Sequence, residues 1–132
     1  SVATIPVTLR CLIEKLSYKE EKVNFIIPIG ATINMDGTAL FECVVVIFIA
    51  QLYGIDLSFI EQLLILLLAL ITSIGVAGIP SASFVAIIVI LGAVGLPFEA
   101  VGIIIGIDRL LDMLRTSVNV YGDTCCVSVV AK

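Results

Sequence analysis

The chain has 132 residues, 61% of them hydrophobic and only 14% charged, with a mean hydropathy of +1.26. A soluble domain carries about 25% charge, so this composition counts against a water-soluble enzyme and points to a membrane protein. The net charge of -4 arises from 11 acids and 7 bases, and the bases form no patch, which counts against nucleic acid as a partner.

Ser1 to Leu16 begins without a methionine, and the expectation is a fragment of a longer protein. The run from Pro6 to Leu16 is about half a membrane crossing long at 1.5 Å per residue, so 1–16 reads as the second arm of a hairpin that began earlier. The next stretch, SYKEEKVN, is the most hydrophilic. With Arg10, Lys15, Lys19 and Lys22 this region holds four of the seven basic residues, which assigns it to the cytoplasmic side.

Residues 25–52 are apolar and long enough to span, but Asn34-Met35-Asp36-Gly37-Thr38 interrupts them. The spacing predicts two half-helices around a break. Gly37 is read as the residue that permits unwinding, and the freed carbonyls then need a partner. An unpaired carboxylate at Asp36 would have to find a cation or neutralise, so the break reads as an ion or solute site.

Tyr53 to Glu61 contains no basic residue and is assigned to the outer side. Residues 62–96 would form a straight helix of roughly 52 Å, too long for a hydrocarbon core of about 30 Å. Their centre, Gly75 to Ser83, contains two glycines, Pro80 and two hydroxyls, and reads as the tip of a re-entrant hairpin; a tilted, kinked helix is the alternative.

Residues 98–130 read as one transmembrane helix. Asp108, Asp112, Arg115, Asn119 and Asp123 fall at i, i+4, i+7, i+11 and i+15, one narrow polar stripe in an otherwise apolar segment. Lipid cannot face that stripe, and intramembrane charges of this kind mark a functional site. Four cysteines, at 11, 43, 125 and 126, have neither metal nor disulfide spacing and read as small packing residues. The absence of histidine removes the usual general base, and no activated nucleophile is apparent. The fold class expected is an all-α multi-pass membrane protein.

NMDGT at 34–38, AGIP at 77–80 and the pattern DxxLDxxRTxxNVxGD from Asp108 to Asp123 together resemble the dicarboxylate/amino acid:cation symporter family, which includes the excitatory amino acid transporters and prokaryotic glutamate and aspartate transporters. NMDGT alone is moderately specific; the three motifs in this order are much more so. The resemblance covers the whole chain and implies the C-terminal half of a transport domain. That core would hold a broken transmembrane helix and re-entrant helical hairpins and would move by elevator-like alternating access. A trimerisation scaffold would lie outside the chain, making a homotrimer in a plasma membrane, the bacterial inner membrane by this reading.

By the same resemblance, Arg115 pairs with the distal carboxylate of an acidic amino acid, Asp112 takes its ammonium, and Asn119 and Thr116 hold its main-chain carboxylate. Thr38 supports the distal carboxylate, and Ser1, Ile79 and Pro80 lie at hairpin tips beside the substrate. The residue chemistry agrees: a guanidinium is a donor fork suited to a carboxylate, and Asp112 offers only acceptors, which suits an ammonium. The resemblance also implies three cation sites. Asp123 with carbonyls of Gly30, Asn34 and Asn119 makes one. Backbone around Thr32, Ser73, Ile74 and Val76, near Met35, makes a second, and Asp36 with Asn34 part of a third. Hard oxygen ligands suit an alkali ion, and the coupling ion is Na+ or H+. Met113 and Ser83 depart from the family pattern, Ser83 standing where glycine is expected. Arg109 reads as an anchor. The alternatives are an ion channel or pore component, a C4-dicarboxylate or neutral amino acid symporter, and a non-transporting assembly subunit.

Overall fold

The computed structural model describes residues 2–75 and 81–131, and every regular element among them is helical. A 3-10 turn at Val2–Thr4 leads into α1 (Ile5–Arg10), which ends in a π-helical turn at Cys11–Lys15. Then come α2 (Glu20–Ile33), α3 (Asp36–Leu52), α4 (Phe59–Gly75), α5 (Ala82–Ala93), α6 (Val101–Ile105) and α7 (Asp108–Val130). Ser1, Val76, Ile79 and Pro80, four of the expected site residues, lie outside the described residues.

The break in the first long apolar run lies at Asn34 and Met35, whose ψ angles of 95° and 41° leave the helical region. Glu20–Leu52 as a whole is a 33-residue span long and apolar enough to cross a membrane. It starts five residues before the expected Phe25. Glu20 and Glu21 fill the first turn, where unpaired amides favour acids. Lys22 donates to the Val130 carbonyl at 2.8 Å, tying the start of α2 to the end of α7.

The single helix expected over 98–130 is instead two, α6 and α7. A turn at Gly106 and Ile107 separates them, with the Ile107 amide bonded to the Ile104 carbonyl at 3.1 Å. Glycine lowers the helix propensity there, and the restart puts Asp108 in the first turn of α7, where the helix dipole favours an acid. The polar stripe therefore lies on α7 alone.

α4 and α5 fold back on each other. Ile65, early in α4, shares one apolar cluster with Ile90 and Leu91, late in α5, so the two helices run antiparallel. Both α3 and α5 end on a glycine with positive φ, Gly54 at 64° and Gly95 at 70°. There the amides of Ile55 and Leu96 return to the carbonyls of Ala50 and Leu91 at 2.9 and 2.8 Å, the Schellman closure that a left-handed residue allows.

The core is in two parts. The larger packs α3, α4, α5 and α6 around Val46, Ile49, Ile87 and Leu91, all fully buried. The smaller joins the π-turn, α2 and the end of α7 through Leu12, Val23, Ile27 and Val127. The remaining faces carry exposed large apolar side chains, among them Phe59, Ile60, Ile71 and Val129, as helices do when lipid or further protein covers them. The cysteines depart from the packing role expected of them: Cys11, Cys125 and Cys126 are exposed, and only Cys43 packs against the core.

Candidate functional site

Between the two cores, α7 lies against both α2 and α3, and its stripe meets the break at Asn34 and Met35. Asn119 organises the middle. Its side-chain oxygen accepts the Gly37 amide at 2.8 Å, and its amide nitrogen lies 3.4 Å from both the Met35 sulfur and the Thr38 hydroxyl. The first amides of a helix lack intrahelical acceptors, and Met35 supplies no side-chain cap. Asn119 therefore caps α3 from a neighbouring helix.

Gly37 has a different role from the one its sequence context suggested. It is helical, inside α3, and the unwinding is at the two preceding residues. A Cβ at Gly37 would collide with the Arg115 carbonyl and crowd Val118 and Asn119, so glycine here permits close approach of α3 and α7. The other close contact is with α2. A Cβ at Gly30 would collide with the Asp123 carboxylate, and one at Gly122 would strike the Asn34 side chain.

That approach builds the lower end of the stripe. Asp123 is 3% exposed, and its Oδ1 accepts from the Asn34 amide at 3.0 Å, the same amide lying 3.4 Å from the Asn119 carbonyl. Asp36 is exposed, and with Asp123, Asn34 and Gly30 it lines a cavity of about 480 Å³ whose other walls are mainly apolar, including Phe25, Ile29 and Ile33. Asp36, Asn34 and Asp123 bring two carboxyls and an amide to one cavity, oxygen-bearing groups of the kind a hard monovalent cation takes, and the missing Cβ of Gly30 keeps the backbone close to the Asp123 carboxylate. The residues expected in the first and third cation sets are thus brought together.

The second set is not joined in the same way. Thr32 is exposed and turns its hydroxyl onto the Pro28 and Ile29 carbonyls, at 2.9 and 2.8 Å. Ser73 is buried and bonded to the Leu70 carbonyl at 3.1 Å, while Ile74 is half exposed. Met35 is buried at the break.

The upper end centres on Arg115, 8% exposed. Its Nη2 donates to Asp108 and to Asp112, each at 3.0 Å, and its Nη1 donates to the Ser83 hydroxyl at 3.0 Å. The Phe41 ring lies 4.2 Å from Cζ, so the guanidinium is stacked on one side. Asp112 is much the more open carboxylate, its side chain 63% exposed against 17% for Asp108. Thr116, next to Arg115, is half-buried, and Thr38 is buried beneath Asn119.

All 132 residues match the model of the sodium:dicarboxylate symporter family. The chain belongs to that family. It is 51% identical to excitatory amino acid transporter 3 of Mus musculus over 132 residues, the whole of this chain and 25% of the mouse protein. It is 48% identical over 130 residues to an excitatory amino acid transporter of Caenorhabditis elegans and to excitatory amino acid transporter 2 of Homo sapiens, covering 98% of this chain and 26% and 23% of those proteins. The chain thus spans about a quarter of the length of the curated relatives it matches.

Some site residues escaped the sequence reading. Glu42 is fully buried in α3, with Oε2 at 2.7 Å from the Thr72 hydroxyl and Oε1 without a partner among the described residues. It is an acid in an apolar span, the same signal that singled out Asp36. Phe41 carries no such signal, and Ser83 stands out in the sequence only as a hydroxyl where the family pattern has glycine. Each gains its place only because α5 and α3 converge on α7 at Arg115.

Proposed function

We propose that this chain forms the substrate- and cation-binding part of a secondary active symporter for acidic amino acids, coupled to sodium and working by alternating access. Support comes from one observation above all: the α7 stripe carries a guanidinium–carboxylate pair with an open carboxylate, Asp112, at one end and a buried carboxylate beside a cavity at the other. The whole protein would be a multi-pass membrane protein with α4 and α5 as a re-entrant hairpin, assembled as a trimer through parts outside this chain. The animal relatives favour an animal plasma membrane over a bacterial inner membrane.

In this reading the substrate's distal carboxylate takes the Arg115 fork, displacing Asp112, whose freed oxygens then accept the substrate ammonium. One side chain movement thereby supplies both recognition groups. A plain dicarboxylate would leave Asp112 with a repulsion and no ammonium to offset it, which favours an amino acid. Asp123, Asn34 and the Gly30 and Asn119 carbonyls hold the cation. Because Asn119 meets Asn34 of the cation set through its carbonyl and Gly37 and Thr38 through its side chain, the proposed cation and substrate sites share a structural member, as linked binding requires. Proton coupling would call for a buried carboxyl away from the cation ligands, and Glu42 is one.

The test is uptake of radiolabelled aspartate by the full-length protein in sealed vesicles, with sodium and proton gradients imposed separately. Saturable, stereoselective uptake driven by the sodium gradient is expected. Ion current without saturable uptake would favour a channel, and no amino acid binding at all would favour an assembly subunit. Topology is tested by labelling: Glu21→Cys should react only from the cytoplasmic side and Asp56→Cys only from outside. Labelling of both from one side breaks the re-entrant arrangement.

A further inference from the structure

We infer that Ser83 is a specificity-determining residue of the carboxylate site, resting on the acidic amino acid reading above: it fixes one arm of the Arg115 fork and donates its own hydroxyl proton to the carboxylate bound there. Arginine has donors only, so in the 3.0 Å contact with Nη1 the Ser83 oxygen is the acceptor. The serine hydrogen is thereby left over, and among the described residues no acceptor takes it. A hydroxyl donor 7% exposed and beside a guanidinium is placed for an anion.

Geometry narrows where that anion comes from. Phe41 covers one face of the guanidinium, so ligands meet it along its edge. At Nη2 that edge already holds Asp108 and Asp112. A planar carboxylate that displaces the open Asp112 from Nη2 extends its second oxygen along the same edge toward Nη1, and there the side chain it meets is Ser83. The carboxylate then receives donors from α7 and from α5 together. Neutral amino acids have no distal carboxylate and gain nothing from either.

Three forms of the full-length protein test this: the parent, Ser83→Ala and Ser83→Thr. In competition against radiolabelled aspartate, Ser83→Ala should weaken aspartate binding about 10-fold or more, the loss expected for one hydrogen bond to a charged group. Ser83→Thr keeps the hydroxyl and should hold aspartate within a few fold of the parent. The sodium activation curve measured at saturating aspartate should not move. In an Arg115→Cys background, read with radiolabelled serine, adding Ser83→Ala should change nothing. Equal or tighter aspartate binding by Ser83→Ala overturns the inference, since Ser83 would then be inert or a competitor for Arg115. An equal loss in Ser83→Thr, or a loss of serine binding in the Arg115→Cys background, also overturns it, because the effect would be one of packing. Failure of the underlying reading looks different: the parent itself then binds no aspartate.

Discussion

At the upper end of the α7 stripe the Arg115 guanidinium is met by two carboxylates at 3.0 Å each, whereas about two turns further on the side-chain partner of Asp123 among the described residues is the neutral amide of Asn34. Both groups are buried to a similar degree, with Arg115 at 8% and Asp123 at 3% exposure. The first end carries its own counter-charge and can exchange one anion for another without stranding a buried charge. The second has no side-chain cation within salt-bridge distance among the described residues, and on the proposed function a bound cation would balance it. One helix thus presents a paired guanidinium and a buried carboxylate a short distance apart, distinguished by which partners its neighbours supply, and the proposal assigns an anion to the first and a cation to the second.

The largest expected effect is at the upper end. Arg115→Cys removes the fork and should weaken aspartate binding roughly 100-fold to 5000-fold, corresponding to about 3 to 5 kcal/mol for a broken buried pair. Neutral amino acids such as serine should lose little or gain, because they have no distal carboxylate to strand. Asp112→Asn should instead harm both classes, since both carry the ammonium. Competition assays against radiolabelled aspartate read both outcomes. Unchanged aspartate affinity in Arg115→Cys would place the carboxylate elsewhere.

Asp123→Asn should act on the lower end and leave the Arg115 contacts intact. The apparent aspartate dissociation constant should rise about 10-fold to 100-fold at low sodium and converge on the parent value as sodium saturates. A direct sodium titration that matches the parent would remove Asp123 from the cation site and dissolve the contrast between the ends.

Two glycines sharpen the comparison further. Gly30→Ala puts a methyl against the Asp123 carboxylate and should reduce cation affinity at little cost to Arg115. Gly37→Ala meets the Arg115 backbone and Asn119 together and should cost about 1 to 3 kcal/mol of stability with losses at both ends. Thermal unfolding with and without sodium separates the two variants; identical behaviour would mean that the α2 and α3 contacts with α7 are not distinct.

The smallest effect lies away from the stripe, at the start of α4. Ser58 and Glu61 form a reciprocal cap. The serine amide and hydroxyl donate to Glu61 Oε2 at 2.7 and 2.6 Å, and the Glu61 amide donates back to the serine oxygen at 3.3 Å. The serine hydroxyl, and after it the serine amide, hold the Glu61 carboxyl below its usual value. The carboxylate form is the one stabilised by folding, so this contribution is present at neutral pH and is lost as pH falls through the lowered value. Ser58→Ala should cost about 1 kcal/mol and leave aspartate and sodium binding unchanged, measured by unfolding and by the same competition assay.

Much of this molecule was legible from local pattern. Apolar runs interrupted at Asn34 to Thr38, and a stripe at helical spacing from Asp108 to Asp123, locate the break and the polar face without any tertiary knowledge, because helical periodicity and the cost of buried charge are local rules. The same rules erred where two local signals competed. The local sequence predicts unwinding at Gly37, yet the chain unwinds at Asn34 and Met35 and keeps Gly37 helical against α7. The turn at Gly106 is likewise invisible in a continuously apolar run, and it sets the register that puts Asp108 in a first turn.

By itself, then, the sequence determined the membrane composition, the helical class, the stripe and the residues Arg115, Asn119 and Asp123, since each follows from spacing and solvation along one segment. Only tertiary structure decided which neighbours these groups have. The convergence of α3 and α5 on α7 gives Arg115 its ring and its serine, and the bare Cα of Gly30 brings α2 onto Asp123. Partners distant in sequence are chosen by how helices pack, and packing depends on the whole set of side-chain shapes, which no local periodicity contains.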